Sequence, residues 1–173
     1  MSEESRESNL CREQWRRLQS EGVTLPALQT FYASYKYLIM SRNLESYGAI
    51  GALLAKADKD SLPATAQRMF DIMMAALAQP ATRGGDANAL FHISGYLKRQ
   101  LLPEEKRTLA AAIERYRRGE VEFEEPAALL RFYFRRFPNA YIEQQVFLYP
   151  QHVKCSSDST LPASAPPLTP PTT

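Results

Sequence analysis

Asn88, His92, Tyr96 and Arg99 recur at spacings of four, four and three. On a helix those spacings place four polar side chains along one stripe. An amide can contact a base edge, a phenol or imidazole can stack on it, and a guanidinium can hold a phosphate. An ordinary helix surface with a hydrogen-bonded histidine has the same pattern, and spacing alone favours that plainer reading. Just before the stripe stands Arg83-Gly84-Gly85-Asp86. Free N–H groups at a helix N-terminus attract phosphate. The strand and the GK[ST] ending of a phosphate-binding loop are missing here, however. A carboxylate at Asp86 would also occupy those N–H groups and repel an anion. The segment therefore reads as a flexible turn with Asp86 as the N-cap of the next helix, and Arg83 as the cation placed to meet a ligand.

Two further sets carry chemistry. FYASYKYLIMSR, residues 31–42, interleaves Tyr32, Tyr35 and Tyr37 with Lys36 and Arg42. Such interleaving suits a nucleic acid, and equally a helix whose tyrosines are core bodies with wet hydroxyls. Arg115, Arg117, Arg118, Arg131, Arg135 and Arg136 come from two adjacent helix ends, where basic residues are expected in any case. The acidic run VEFEE between them offsets part of their charge. Nucleophilic catalysis has little to work with, because Cys11 and Cys155 stand far from His92 and no GxSxG, HExxH or paired-carboxylate pattern occurs. Without CxxC or Cys/His spacing, no metal site and no cofactor are expected.

Helices must position all of these residues. Leu10, Trp15 and Leu18 predict a short opening helix stopped at Gly22. Thr24 and Pro26 open a second, Asn43 a third, and Leu62-Pro63 a fourth that ends before Pro80. Asp86 opens a fifth, with Leu90, Ile93 and Leu97 in register. Pro103-Glu104-Glu105 opens a sixth, closed by Arg117-Arg118-Gly119 as basic residues and a glycine should close a helix. Pro126 opens a seventh that ends at Pro138-Asn139, and a last turn covers 140–145. VFLYP is too short to classify. No β-alternation or solenoid repeat appears.

The expected fold is all-α: a single compact helical bundle of seven to eight helices at 10–150, a flexible N-terminus at 1–9, and a disordered Ser/Pro/Thr-rich tail at 151–173. The chain has 173 residues, enough for such a core, and a net charge of only +2, which does not mark a strongly basic nucleic-acid binder. No apolar run approaches the ~18 residues of a membrane span, and the polar N-terminus has no leader-like apolar stretch. A cytoplasmic location and no membrane partner are expected.

FYASYKYLIMSR, PATRGGDANALFHISGYLKRQLLPEEKRTL, IERYRRG, PAALLRFYFRRFP and AYIEQQVFLYP follow one another in this order. Together they resemble the YbgA family, a helical domain found alone or fused behind a cysteine-ligated iron–sulfur desulfidase that removes sulfur from thiolated uracil, including thiouridine in tRNA. The resemblance covers about residues 25–150. Lys36 and Tyr37 match one family motif. Thr82, Arg83, Asn88, His92, Gly95, Tyr96 and Lys98 match the central block, and Lys106, Tyr116 and Arg117 the next helix. The desulfidase cysteines are absent. Tyr32, Tyr35, Arg42, Asp86 and Phe132 stand where the family usually has histidines, which moves the expectation from chemistry toward binding.

The resemblance thus implies a non-catalytic module for tRNA or other RNA, serving a thiouridine desulfidase supplied in trans. Lys36, Tyr37, Arg83, Asn88, His92, Tyr96, Lys98 and Arg117 are its binding residues. Two readings stay open beside it: a protein–protein adaptor tethered by the proline-rich tail, and an enzyme acting on a small molecule or nucleotide around His92. The sequence leaves the oligomeric state undetermined.

Overall fold

The computed structural model describes residues 3–150, with side chains from Arg6 onward; the expected disordered tail at 151–173 lies outside them. Among the described residues there are eight α-helices, one 3-10 turn and no strand. The all-α expectation holds. The chain falls into two compact units that meet in sequence at Thr82 and Arg83.

The first unit holds α1 (Glu3–Glu21), α2 (Leu25–Arg42), α3 (Leu44–Ala55) and α4 (Leu62–Leu77). α1 starts at Glu3, seven residues before the expected Leu10. Its early turns carry acids rather than an apolar stripe, and acids are favoured at the positive end of the helix dipole. Gly22, at φ +105°, closes it. Thr24 caps α2 by accepting from the Ala27 N–H, and Asn43 caps α3 by accepting from Ser46. α2 is the core helix: Tyr35 to Ser41 are buried without interruption, so its apolar residues surround it rather than forming one stripe. α3 and α4 pack against it, and α1 packs on α4. Trp15 stacks on Phe70 with centroids 4.7 Å apart and also meets Phe31 at 5.6 Å. Tyr35 donates to Gln14 at 2.6 Å.

The second unit holds α5 (Arg83–Ser94), the 3-10 turn Gly95–Leu97, α6 (Pro103–Arg117), α7 (Glu124–Arg136) and α8 (Ala140–Glu143). α5 packs on α6 and α7, and α6 on α7. Leu90, Ile93, Leu109, Ile113, Leu130 and Phe134 form its core. The VFLYP run is a turn segment whose Val146, Phe147 and Leu148 are buried; the Phe147 ring meets Phe123 edge-on at 5.3 Å.

Two expectations about α5 are corrected. The helix begins at Arg83, so Arg-Gly-Gly is its first turn rather than a joint, and Asp86 sits inside that turn rather than capping it. At the other end α5 stops at Ser94. Tyr96 belongs to the 3-10 turn and Arg99 to the turn beyond, so the expected stripe divides after His92. A tighter 3-10 turn has three residues per turn instead of 3.6, which rotates every later side chain away from the α-helical register.

Candidate functional site

Arg83 and Asp86 both grip Tyr116 of α6. The Arg83 guanidinium lies over the Tyr116 ring at 4.8 Å. Its Nη1 donates to the carbonyls of Tyr116 and Val121, each at 2.8 Å. Asp86, 8% exposed, accepts from the Tyr116 hydroxyl at 2.7 Å. Burial, then the carboxylate, pushes the Tyr116 phenol well above its ordinary pKa, so it stays protonated and donates. A cation at the carbonyl end of α6 is also where the helix dipole favours one. Two residues of the RGGD segment therefore fasten α5 to the last turn of α6.

Of the other sequence-selected residues, Lys36 and Tyr37 lie in the interior. Lys36 is 4% exposed, with its ammonium 5.6 Å from the Tyr37 ring and 5.7 Å from that of Tyr47. Burial lowers its pKa, because desolvation disfavours the charged form. Tyr32 and Tyr35 are buried as well, and Tyr32 donates to the Tyr47 carbonyl at 3.4 Å. Arg42, whose side chain is 5% exposed, pairs with Glu7 at 2.7 Å and donates to the Gln79 carbonyl at 3.0 Å. These three residues bind the first unit's helices together. Asn88 and His92 share a half-buried face of α5, and Tyr96 stacks on Tyr141 at 6.2 Å. Lys98 is exposed, whereas Arg117 is held by Glu114 at 2.8 Å.

The arginine set at the ends of α6 and α7 is largely neutralised. Arg115 pairs with Glu125, Arg118 with Glu120, Arg131 with Glu124 and Arg136 with Glu105, while Arg135 rests near the Phe132 ring. A different group of cations is left. Lys98, Arg99, Lys106 and Arg107 are exposed around the turn that leads into α6, and among the described residues none of them is in an ion pair. The nearby Glu105 is engaged by Arg136 and by the Leu102 N–H at 2.9 Å, and these contacts hold its pKa below the usual carboxylate value. Arg99 and Lys106 carried sequence signals of their own, but Arg107 did not. The grouping became visible only once most nearby acids had been assigned to their partners; exposed Glu104, in the same stretch, is in no ion pair among the described residues and offsets one of the four charges.

A family described as "Protein of unknown function (DUF1722)" matches residues 36–151. The chain belongs to that family. This DUF1722 chain is also 26% identical over 148 residues to "Uncharacterized protein YbgA" of Escherichia coli (strain K12), covering 84% of this chain and 88% of the relative. No solved structure matches it. The region matched by the DUF1722 family begins at Lys36, the buried lysine of α2, and takes in the Arg83–Asp86–Tyr116 cluster and the basic turn.

Proposed function

We propose that this chain is a non-catalytic RNA-binding module that holds the phosphate backbone through the basic segment from Lys98 to Arg107, the turn before α6 and the start of that helix. One observation carries the reading: four exposed cations within ten residues, none of them in an ion pair among the described residues, in a unit whose other arginines are mostly engaged. Unpaired surface cations release counterions when they meet phosphates, and that release drives sequence-independent binding. Half-buried Asn88, His92 and Tyr96 precede the turn in the chain and supply groups that stack and hydrogen-bond. Resemblance to the YbgA family makes tRNA the RNA to test, and a thiouridine desulfidase supplied in trans the enzyme to test with it. Lys36, Tyr37, Arg83 and Arg117 then serve the fold more than the contact, because each is buried or engaged.

The experiment is a titration of the chain with bulk tRNA at two salt concentrations, with duplex DNA as control. Salt-sensitive binding that prefers tRNA, weakened by Lys98→Ala and Arg99→Ala, is the expected result. Equal binding to both nucleic acids, or affinity indifferent to these substitutions, would remove the turn as the interface and favour the adaptor reading.

A further inference from the structure

We propose that the shallow apolar groove between α6 and α7 is the docking site for this chain's own proline-rich segment, residues 161–171. The groove has a volume of about 600 Å³ and is lined by Thr108 and Ala111 of α6 and by Ala128, Leu129 and Phe132 of α7. Phe132 is 46% exposed, a large ring standing open beside alanines. The Arg115–Glu125 ion pair, at 2.6 Å, belongs to the same rim. Extended proline-rich segments dock on surfaces of this kind, with proline rings against an aromatic plate, and they arrive in a conformation that is already restricted.

The dimensions agree. From Thr108 to Arg115 the α6 wall runs ~10 Å at ~1.5 Å per residue. Four residues of polyproline helix, at ~3.1 Å each, cover that length. Pro167-Leu168-Thr169-Pro170 has the number of residues that such a unit would need, and LPASAPPLTPP carries no charge at all. The route is short as well. The described chain ends at Pro150 beside α7, where Arg131, the residue before Phe132, donates to the Leu148 carbonyl at 3.1 Å. Residues 151–160 then reach up to ~33 Å when extended, several times the length of the groove. Tethering at that distance gives a local concentration in the millimolar range, so a weak contact suffices to occupy the groove.

The test uses the full chain with a paramagnetic label at Ala165→Cys and with Cys155→Ser. Cys11 stays unlabelled because it is buried and its thiol is pushed up to about 12. Amide NMR signals of Ala111, Ala128 and Phe132 are expected to lose most of their intensity, and to recover it when Pro167 and Pro170 are both replaced by Asp. Intensity loss spread evenly over the chain, or no loss, would overturn the proposal. So would equal loss in a mixture where label and isotope reside on different molecules, since a second copy would then be the occupant.

Discussion

At the scale of single residues, Tyr116 connects the two ends of the RGGD segment. Its ring meets Arg83, its carbonyl accepts from Arg83, and its hydroxyl donates to buried Asp86. Tyr116→Phe keeps the ring and removes only the donor, leaving a buried carboxylate short of one hydrogen bond. The expected loss is ~1–3 kcal/mol, the cost of under-satisfying a buried polar group, read from urea denaturation. A change within experimental error would mean that water or another group takes over the hydroxyl's place.

At the scale of elements, α6 shows how both ends of a helix are set. Glu120 N–H bonds the Arg115 carbonyl at 2.9 Å and Gly119 N–H bonds that of Tyr116 at 3.0 Å, with Gly119 at φ +80°. This is the paired C-terminal bonding of a glycine-closed helix. Gly119→Ala should destabilise by ~1–2 kcal/mol, the penalty of a Cβ in the left-handed region. Gly84→Ala should do the opposite. That glycine lies in the first turn of α5 without positive φ, and nothing stands within 4 Å of an added Cβ. Restricting the unfolded chain there should gain ~0.4–1 kcal/mol. Thermal melts of the two variants should move in opposite directions, and a destabilising Gly84→Ala would show that this turn needs the glycine.

The N-terminus of α6 brings a pH dependence. Arg136 and the Leu102 N–H favour ionised Glu105 in the folded state, so its folded pKa lies below the ordinary 4.5. A group with a depressed folded pKa contributes stability above its unfolded value and loses it as pH falls through the folded one. The advantage of the native chain over Glu105→Gln is therefore full near neutrality and narrows below about pH 4.5. A difference that stays constant down to strong acid would exclude the ion pair as its source.

At the scale of the whole molecule, a net charge of +2 conceals how charge is distributed. Ion pairs absorb much of the second unit's arginine content and leave a concentration of exposed positive charge in the turn before α6 and the start of that helix, at 98–107. Every phosphate that the turn no longer neutralises should lower the salt slope of RNA binding by ~0.7–0.9. Replacing Lys98, Arg99, Lys106 and Arg107 together by alanine should therefore flatten the salt dependence far more than the single variants do, in the same tRNA titrations. No described helix is long and apolar enough to cross a membrane.

Helix punctuation was legible in the chain alone. Thr24, Asn43 and Gly119 act through bonds to residues only a few positions away, and Pro63 and Pro103 through their own fixed φ in the first turn of a helix, so their types and spacing suffice. All-α architecture follows from the same local signals. Arg83 could not be read in this way. Its partners lie 33 and 38 residues along the chain, and local rules saw only a turn before a cap. Lys36 and the tyrosines of α2 fit a nucleic-acid face and a core equally well, and only packing placed them inside. The basic turn emerged by subtraction, because an exposed cation is available for a ligand only when no acid has reached it. That pairing is a property of tertiary distance, which residue order does not encode locally.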